Sequence, residues 1–408
     1  MNAPKETSPP PVVSARAAWL AMLDQSLQGR RDAHLLRELH PLASATGPTV
    51  TLDGRQFVQF CTNNYLGLAT DPEVIDAARD AAARWGAGSG ASRLVAGSLR
   101  LHHDLESALA AFKRAEAALL FPTGFMANLA VLTTFAGQHD AIVSDKLNHA
   151  SLLDAAKFSG AEHRTFPHRR YSRAAELLGR FNSSAALRFL VTDSVFSMDG
   201  DVADLSAACD AAERHAALVV IDEAHATGVL GSRGAGLAEA QGVEERVAVT
   251  VGTLSKALGS LGGFVAGPRA VIETLVNAGR AFIYTTALPP SCAAAGLAAL
   301  RIVEREPGRR ARVLGLAERV RGRLRELGFD CGDSRTPIIP VILGEAEKAL
   351  AAAAFLRERG IYVPAIRPPT VGPGTARLRI SLMATHSDGQ VEQLLEGLGA
   401  LRAKGVAG

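Results

Sequence analysis

LVVIDEAHATG, residues 218–228, decides the fold of this chain. Its apolar opening, 218–221, is too short for a helix and reads as a buried strand. The strand delivers Asp222 to its C-terminal end, where open parallel sheets bind their ligands, and His225 follows three residues later. Two other readings stand beside this one. Asp-Glu-Ala-His after an apolar strand is also a nucleotide-hydrolysis motif of helicases. That motif requires a G-x-x-x-x-G-K-[ST] loop upstream, and the chain contains no Gly-Lys dipeptide. The plainer alternative is a capping Asp and a hydrogen-bonded His at a turn.

Similar short runs lie on either side: AALLF (117–121), AIVS (141–144), FLVTD (189–193) and FVAG (264–267). Helical segments with Ala-rich faces, such as 205–215, separate them. Strands alternating with helices over this length indicate an α/β fold with a mostly parallel sheet covered on both faces. Upstream, Trp19, Leu20, Leu23, Leu27, Leu35, Leu36 and Leu39 give residues 14–42 a helical period, and TLDGRQFVQF (51–60) reads as a hairpin turning at Asp53-Gly54. After residue 290 the pattern changes. A long Arg/Leu-rich helical stretch (294–327) precedes IIPVIL (338–343), a helix (346–359), a strand-like IYVPAI and a last helix from Asp388. The expected layout is a disordered tail at 1–15, a helix-and-hairpin segment at 16–60, a large ligand-binding domain at 61–290 and a small α+β domain at 291–408.

Composition narrows the function classes. The 408 residues are 48% hydrophobic and 21% charged, with a net charge of +3 and both signs mixed throughout, so neither nucleic acid nor a membrane surface is an expected partner. Cys61, Cys209, Cys292 and Cys331 lie far apart, without C-x-x-C spacing, which argues against a structural metal site and fits reduced thiols in a cytoplasmic protein. The Pro-rich start lacks the apolar stretch of a signal peptide, and no segment approaches the roughly 20 apolar residues of a membrane span.

The chemistry is carried by segments that explain one another. In VTVGTLSKALGSLGG (249–263) a strand runs into a turn of small residues holding one lysine, Lys256. Most lysines are surface charges, but one surrounded by small residues suits Schiff-base chemistry. Pyridoxal 5′-phosphate (PLP) needs such a lysine together with a carboxylate against its pyridine nitrogen, and Asp222 can supply it. In LLFPTGFMANLAVL (119–132) a strand ends at Pro122 and Thr123-Gly124 opens a helix, whose N-terminus suits a phosphate. His149 and Ser197 each follow a strand-like run, so both are candidates for the same sheet edge; structural roles are their alternative. Arg377 and Arg379 lie in an extended run and are candidates for binding a carboxylate bidentately, with solvated charges as the alternative.

With these residues assembled, the chain resembles the α-oxoamine synthase family of fold-type I (aspartate-aminotransferase-like) PLP enzymes. The likeness runs from about Arg16 to the C-terminus. It rests on FCTNNYLGLATDP (60–72), GAGSGASRLVAGS (86–98), the segment with His149, VFSMDGD (195–201), IDEAHATGV (221–229), GTLSKALG (252–259) and FIYTTALPP (282–290). The resemblance implies that Lys256 forms the Schiff base and moves protons, Asp222 pairs with the ring nitrogen and His149 stacks on the ring. It also implies that Ser197 and His225 contact the cofactor, and that Gly124, Phe125 and Thr253 seat its phosphate and ring. A homodimer is implied as well, with Thr285 or Thr286 reaching the partner's phosphate. IRPPT (366–370) resembles the biotin-pathway branch, which joins L-alanine to a pimeloyl thioester carried by CoA or an acyl carrier protein. In that branch Arg379 clamps the amino-acid carboxylate, and Arg37, Thr370 and His149 contact substrate. Glycine-using siblings are the alternative enzyme. A non-catalytic subunit of this fold is the wider one, against which the presence of Lys256 argues.

Overall fold

The computed structural model describes residues 14–181 and 186–405. Most of the expected tail, 1–13, lies outside the described residues. The hairpin forms as its turn sequence requires: β1 (Thr49–Leu52) and β2 (Arg55–Gln59) are joined through Asp53 and Gly54, both at positive φ. The central sheet is built from β3 (Ala117–Phe121), β4 (Ala141–Asp145), β5 (Glu162–Phe166), β6 (Arg188–Asp193), β7 (Leu218–Asp222), β8 (Val249–Thr253) and β9 (Gly263–Gly267), in the order β3-β9-β8-β7-β6-β4-β5. All pairings among β8, β7, β6, β4 and β5 are parallel, and β9 alone runs against its neighbours β3 and β8. Helices on both faces bury the Val- and Ile-rich strands, which is why those strands read as continuous apolar runs. β5, with sequence EHRTF, escapes such a reading because it is the sheet's edge and leaves the four residues before Phe166 exposed or half-buried.

The C-terminal part carries β10 (Ile338–Gly344), β11 (Ile361–Tyr362), β12 (Ala365–Ile366) and β13 (Ala376–Ser381). β10, β13 and β12 form an antiparallel sheet, while β11 pairs with β2 of the N-terminal hairpin. IYVPAI is therefore not one strand: Val363-Pro364 splits it between two sheets, proline having no N–H to continue a ladder.

Two helix expectations are corrected. The first helix is Ala15–Asp32 and ends there, with His34 at φ 56. It buries no residue in this chain, so Leu35, Leu36 and Leu39 have no packing to extend it. The stretch 294–327 is two helices, Pro290–Arg305 and Pro307–Glu326, because Pro307 cannot donate to the preceding turn. Pro290–Arg305 lies along the helices Pro72–Trp85 and Arg100–Lys113, clamping the large sheet's flank.

One buried ion pair ties that flank to the strand β7. Lys113 Nζ donates to Glu223 Oε2 at 2.6 Å, to Thr227 Oγ1 at 2.9 Å and to the Ala235 carbonyl, while Glu223 Oε1 accepts the Ala238 N–H. Removing the lysine leaves a buried carboxylate without its cation. Lys113→Ala is expected to lower unfolding free energy by about 3–5 kcal/mol, measured by chemical denaturation; a loss below about 1 kcal/mol would contradict this account.

Candidate active site

The C-terminal ends of β6, β7 and β8 open into a cavity of about 210 Å³. Asp193 ends β6 and Asp222 ends β7, directly opposite one another in register. Lys256 follows β8 in a tight return to β9. That return is closed by Leu254 N–H to Gly262 O (2.9 Å), Thr253 Oγ1 to Gly262 O (2.7 Å) and Gly259 N–H to Lys256 O (3.0 Å). Gly259 is required there: its φ is +62, and a Cβ would stand 2.2 Å from the Ala69 nitrogen. Gly263 serves the opposite wall, since a Cβ on it would come within 2.6 Å of Gly124. That closeness sets the first turn of the helix Gly124–Phe135 against β9, with Thr123 capping it by accepting the Met126 N–H.

Asp222 is 5% exposed, its Oδ1 accepting the Ala224 N–H at 2.7 Å and its Oδ2 the Asn128 amide at 2.7 Å. Burial pushes the Lys256 amine down from 10.5 to about 8, against the pull of Asp222 and Asp193 and with help from the Arg379 charge. Burial and the neighbouring Asp222 hold the Asp193 carboxyl well above the usual carboxylate range, although it accepts the His149 N–H at 2.6 Å. Burial lowers His149 and, far more, His225, whose Nδ1 lies 2.7 Å from the Tyr65 hydroxyl.

Lys256, Asp222, His149, His225, Ser197, Thr253, Gly124 and Phe125 thus share one cavity. Arg379 lies just behind it and is 6% exposed, donating to the Ser197 carbonyl, Ser381 Oγ and Asn63 Oδ1. Arg377 is 5% exposed and pairs with Asp199 at 2.6 Å, so neither arginine is a solvated charge. Arg37 donates to Thr370 Oγ1 at 2.8 Å but borders a separate cleft against the helix Ala346–Glu358. Thr285 and Thr286 do not line the Lys256 cavity, and Thr286 is exposed. Asp193, Asn128, Ser151 and Ser255 line it without having been singled out from sequence. Asp193 carried the same signal as Asp222, a carboxylate ending an apolar strand, and Asn128 lies one helical turn beyond Gly124.

Residues 55–398 match the family model described as aminotransferase class I and II. An 8-amino-7-oxononanoate synthase from Anaeromyxobacter dehalogenans is 52% identical over 367 residues, 90% of this chain and 92% of the relative. The chain belongs to the 8-amino-7-oxononanoate synthase family. Among solved structures, the 8-amino-7-oxononanoate synthase of Francisella tularensis is similar with a TM-score of 0.74 and 29% identity, over 86% of this chain and 98% of that one. A serine palmitoyltransferase variant from S. paucimobilis with a bound PLP–myriocin aldimine gives a TM-score of 0.90 and 31% identity, over 95% and 98%. The fold shared by this synthase family is fold type I of the PLP-dependent transferases.

The residues present fit PLP. None of the ion pairs among the described residues involves Asp222, so its buried carboxylate suits a protonated pyridine nitrogen. Asn128 Oδ1 is buried without a protein partner. The first N–H groups of Gly124–Phe135 have no earlier turn to bond and suit a phosphate.

The loop carrying Ser197 is pinned from outside by His168, whose Nε2 lies 2.8 Å from Asp201 and whose Nδ1 lies 3.1 Å from Asp145. Burial alone would lower His168, but those two carboxylates raise it from 6.5 to about 9. A raised histidine contributes stability that is complete below its unfolded value and fades as pH rises through the folded one. His168→Asn is therefore expected to cost about 2–3 kcal/mol below pH 6.5 and much less above pH 9, read from denaturation curves at both pH values. An equal cost at both would disprove the charged-histidine account. In the cofactor-free protein, labelling of Lys256 by an amine reagent is expected to reach half its maximal rate near pH 8, and a midpoint near 10.5 would refute the depressed amine.

Proposed function

We propose that this protein condenses L-alanine with a pimeloyl thioester, with loss of CO2 and the thiol, to give 8-amino-7-oxononanoate in the cytoplasm. The observation that carries the reading is the meeting, in one cavity, of a buried lysine amine, a buried unpaired carboxylate and a sequence 52% identical to an 8-amino-7-oxononanoate synthase. Bound there, PLP supplies an electron sink for the pair left on the substrate Cα when its proton or carboxylate departs.

Asp222 would hold the ring nitrogen in its charged form, and the N–H groups of Gly124 and Phe125 with Thr253 would hold the phosphate. Ser197 and His225 would bound the cofactor's phenolic side, and His149 would cover one ring face. Lys256, its amine made less basic by burial, takes the Cα proton and returns one after decarboxylation. Arg379 grips the alanine carboxylate bidentately; its burial against Ser197 and Ser381 fixes the guanidinium before substrate arrives. Arg37 and Thr370, already hydrogen bonded, meet the pimeloyl portion. Two copies form a homodimer in which Thr285 or Thr286 approaches the partner's phosphate site, which accounts for their place outside the cavity of their own chain. CoA and an acyl carrier protein are the two thiol carriers to compare.

Thiol release by purified protein with PLP tests this reading. It is expected with L-alanine and pimeloyl-CoA or the pimeloyl carrier protein, and not with glycine and acetyl- or succinyl-CoA. Release only with glycine would move the enzyme to a sibling reaction. Lys256→Ala is expected to abolish release and the visible absorbance of the lysine-bound cofactor. Arg379→Lys should raise the KM for alanine about tenfold or more, because an ammonium cannot make the paired contact.

A further inference from the structure

The hydrogen bonds under the cavity form a chain with a direction. Asn128 Nδ2 lies 2.7 Å from Asp222 Oδ2 and 2.8 Å from Ser151 Oγ, and Ser151 Oγ lies 2.7 Å from His149 Nδ1. Asn128 and Ser151 are each 1% exposed, so water does not compete for these groups. A carboxylate only accepts, so Asn128 must turn its NH2 toward Asp222; the reverse orientation would press two oxygens together at 2.7 Å. The second hydrogen of that NH2 goes to Ser151 Oγ. The serine hydroxyl then has one hydrogen to give, and His149 Nδ1 is there to accept it. The Ser151 backbone N–H approaches the same nitrogen at 3.3 Å. A ring nitrogen facing two donors carries no hydrogen, and in a neutral imidazole the hydrogen then sits on Nε2. Burial favours that neutral form of His149. Among the described residues no hydrogen bond involves Nε2.

We infer that Asn128 and Ser151 are positioning residues that fix the tautomer of His149, so that the imidazole offers the cavity an Nε2–H donor instead of a lone pair. In the reaction proposed above, on which only this last assignment rests, the donor serves the thioester carbonyl oxygen as negative charge develops there. Without the chain the hydrogen is free to occupy Nδ1, and Nε2 would then repel the oxygen it must stabilise. The buried carboxylate that serves the cofactor ring thereby also orders, through an amide and a hydroxyl, the hydrogen on the residue facing the second substrate.

The test reads the hydrogen directly. In holoenzyme carrying 15N-labelled histidine, with His149→Gln used to assign the signals, long-range 1H–15N correlations are expected to show Nδ1 bare and Nε2 protonated. Ser151→Ala should move the Nδ1 signal toward its protonated position and lower kcat at least about tenfold, with the KM for alanine little changed and the bound-cofactor absorbance kept. Ser151→Thr retains the hydroxyl and should remain near the native values. A hydrogen on Nδ1 in the native enzyme, or a Ser151→Ala protein with unaltered ring signals and kcat, would overturn the inference. A protonated Nε2 in a protein that releases no thiol would keep this tautomer and remove the reaction.

Discussion

Two carboxyl groups end neighbouring parallel strands of this molecule, and the site is organised around keeping them there. Asp193 and Asp222 face each other in register, both 5% exposed. Side by side in a dry environment they cannot both hold full charge unless something answers it. The answers come from four separate parts of the chain: the Ala224 N–H, the Asn128 amide, the His149 N–H and the Lys256 amine. Each fixes one more wall of the cavity. The depressed lysine is a product of the same arrangement, its burial outweighing the attraction of the two acids.

The large sheet and the C-terminal sheet share an apolar core, and polar contacts join them beside it. Arg377 and Arg379 alternate along β13, so both reach from the same face of the strand toward the segment after β6, binding Met198 O, Asp199 and Ser197 O. His168 holds the other side of that segment through Asp201. Two short arginine contacts thus tie the small sheet to the Ser197 segment, alongside the apolar packing of Val195 and Phe196 in the shared core.

The fold was legible in the sequence wherever burial wrote an unbroken apolar run. β3, β6, β7 and β9 lie where AALLF, FLVTD, LVVID and FVAG stand, within a residue at each end. β5 was not legible, because an edge strand needs only one good face and Glu162, Arg164 and Thr165 belong to solvent. Leucines at 35, 36 and 39 suggested a longer first helix, but a helix that buries nothing in its own chain obeys its turns, and the positive φ at His34 ends the run. Of the cavity, the parts with a local signature were readable: a lysine among small residues, a carboxylate ending a strand, a helix opening on Thr-Gly. Asn128 and Ser151 were not, since an Asn inside one apolar helix and a Ser in the first turn of the next, Ala150–Phe158, acquire meaning only when the sheet brings residues 128, 151 and 222 together.

The reversal of β9 has a consequence for how this site comes into being. Every other step between consecutive strands of the large sheet crosses over through a helix, while β8 returns to β9 by a hairpin. The lysine therefore rides on the sheet's one short-range connection, and its turn can close from residues 249–267 alone, at small entropic cost. Its acidic counterparts arrive from strands that can pair only after long loops have closed. The turn that carries the amine is local, while the burial that depresses the amine is supplied by the distant strands. The placing of the lysine is thus a local property of the chain, and its lowered basicity a property of the whole fold.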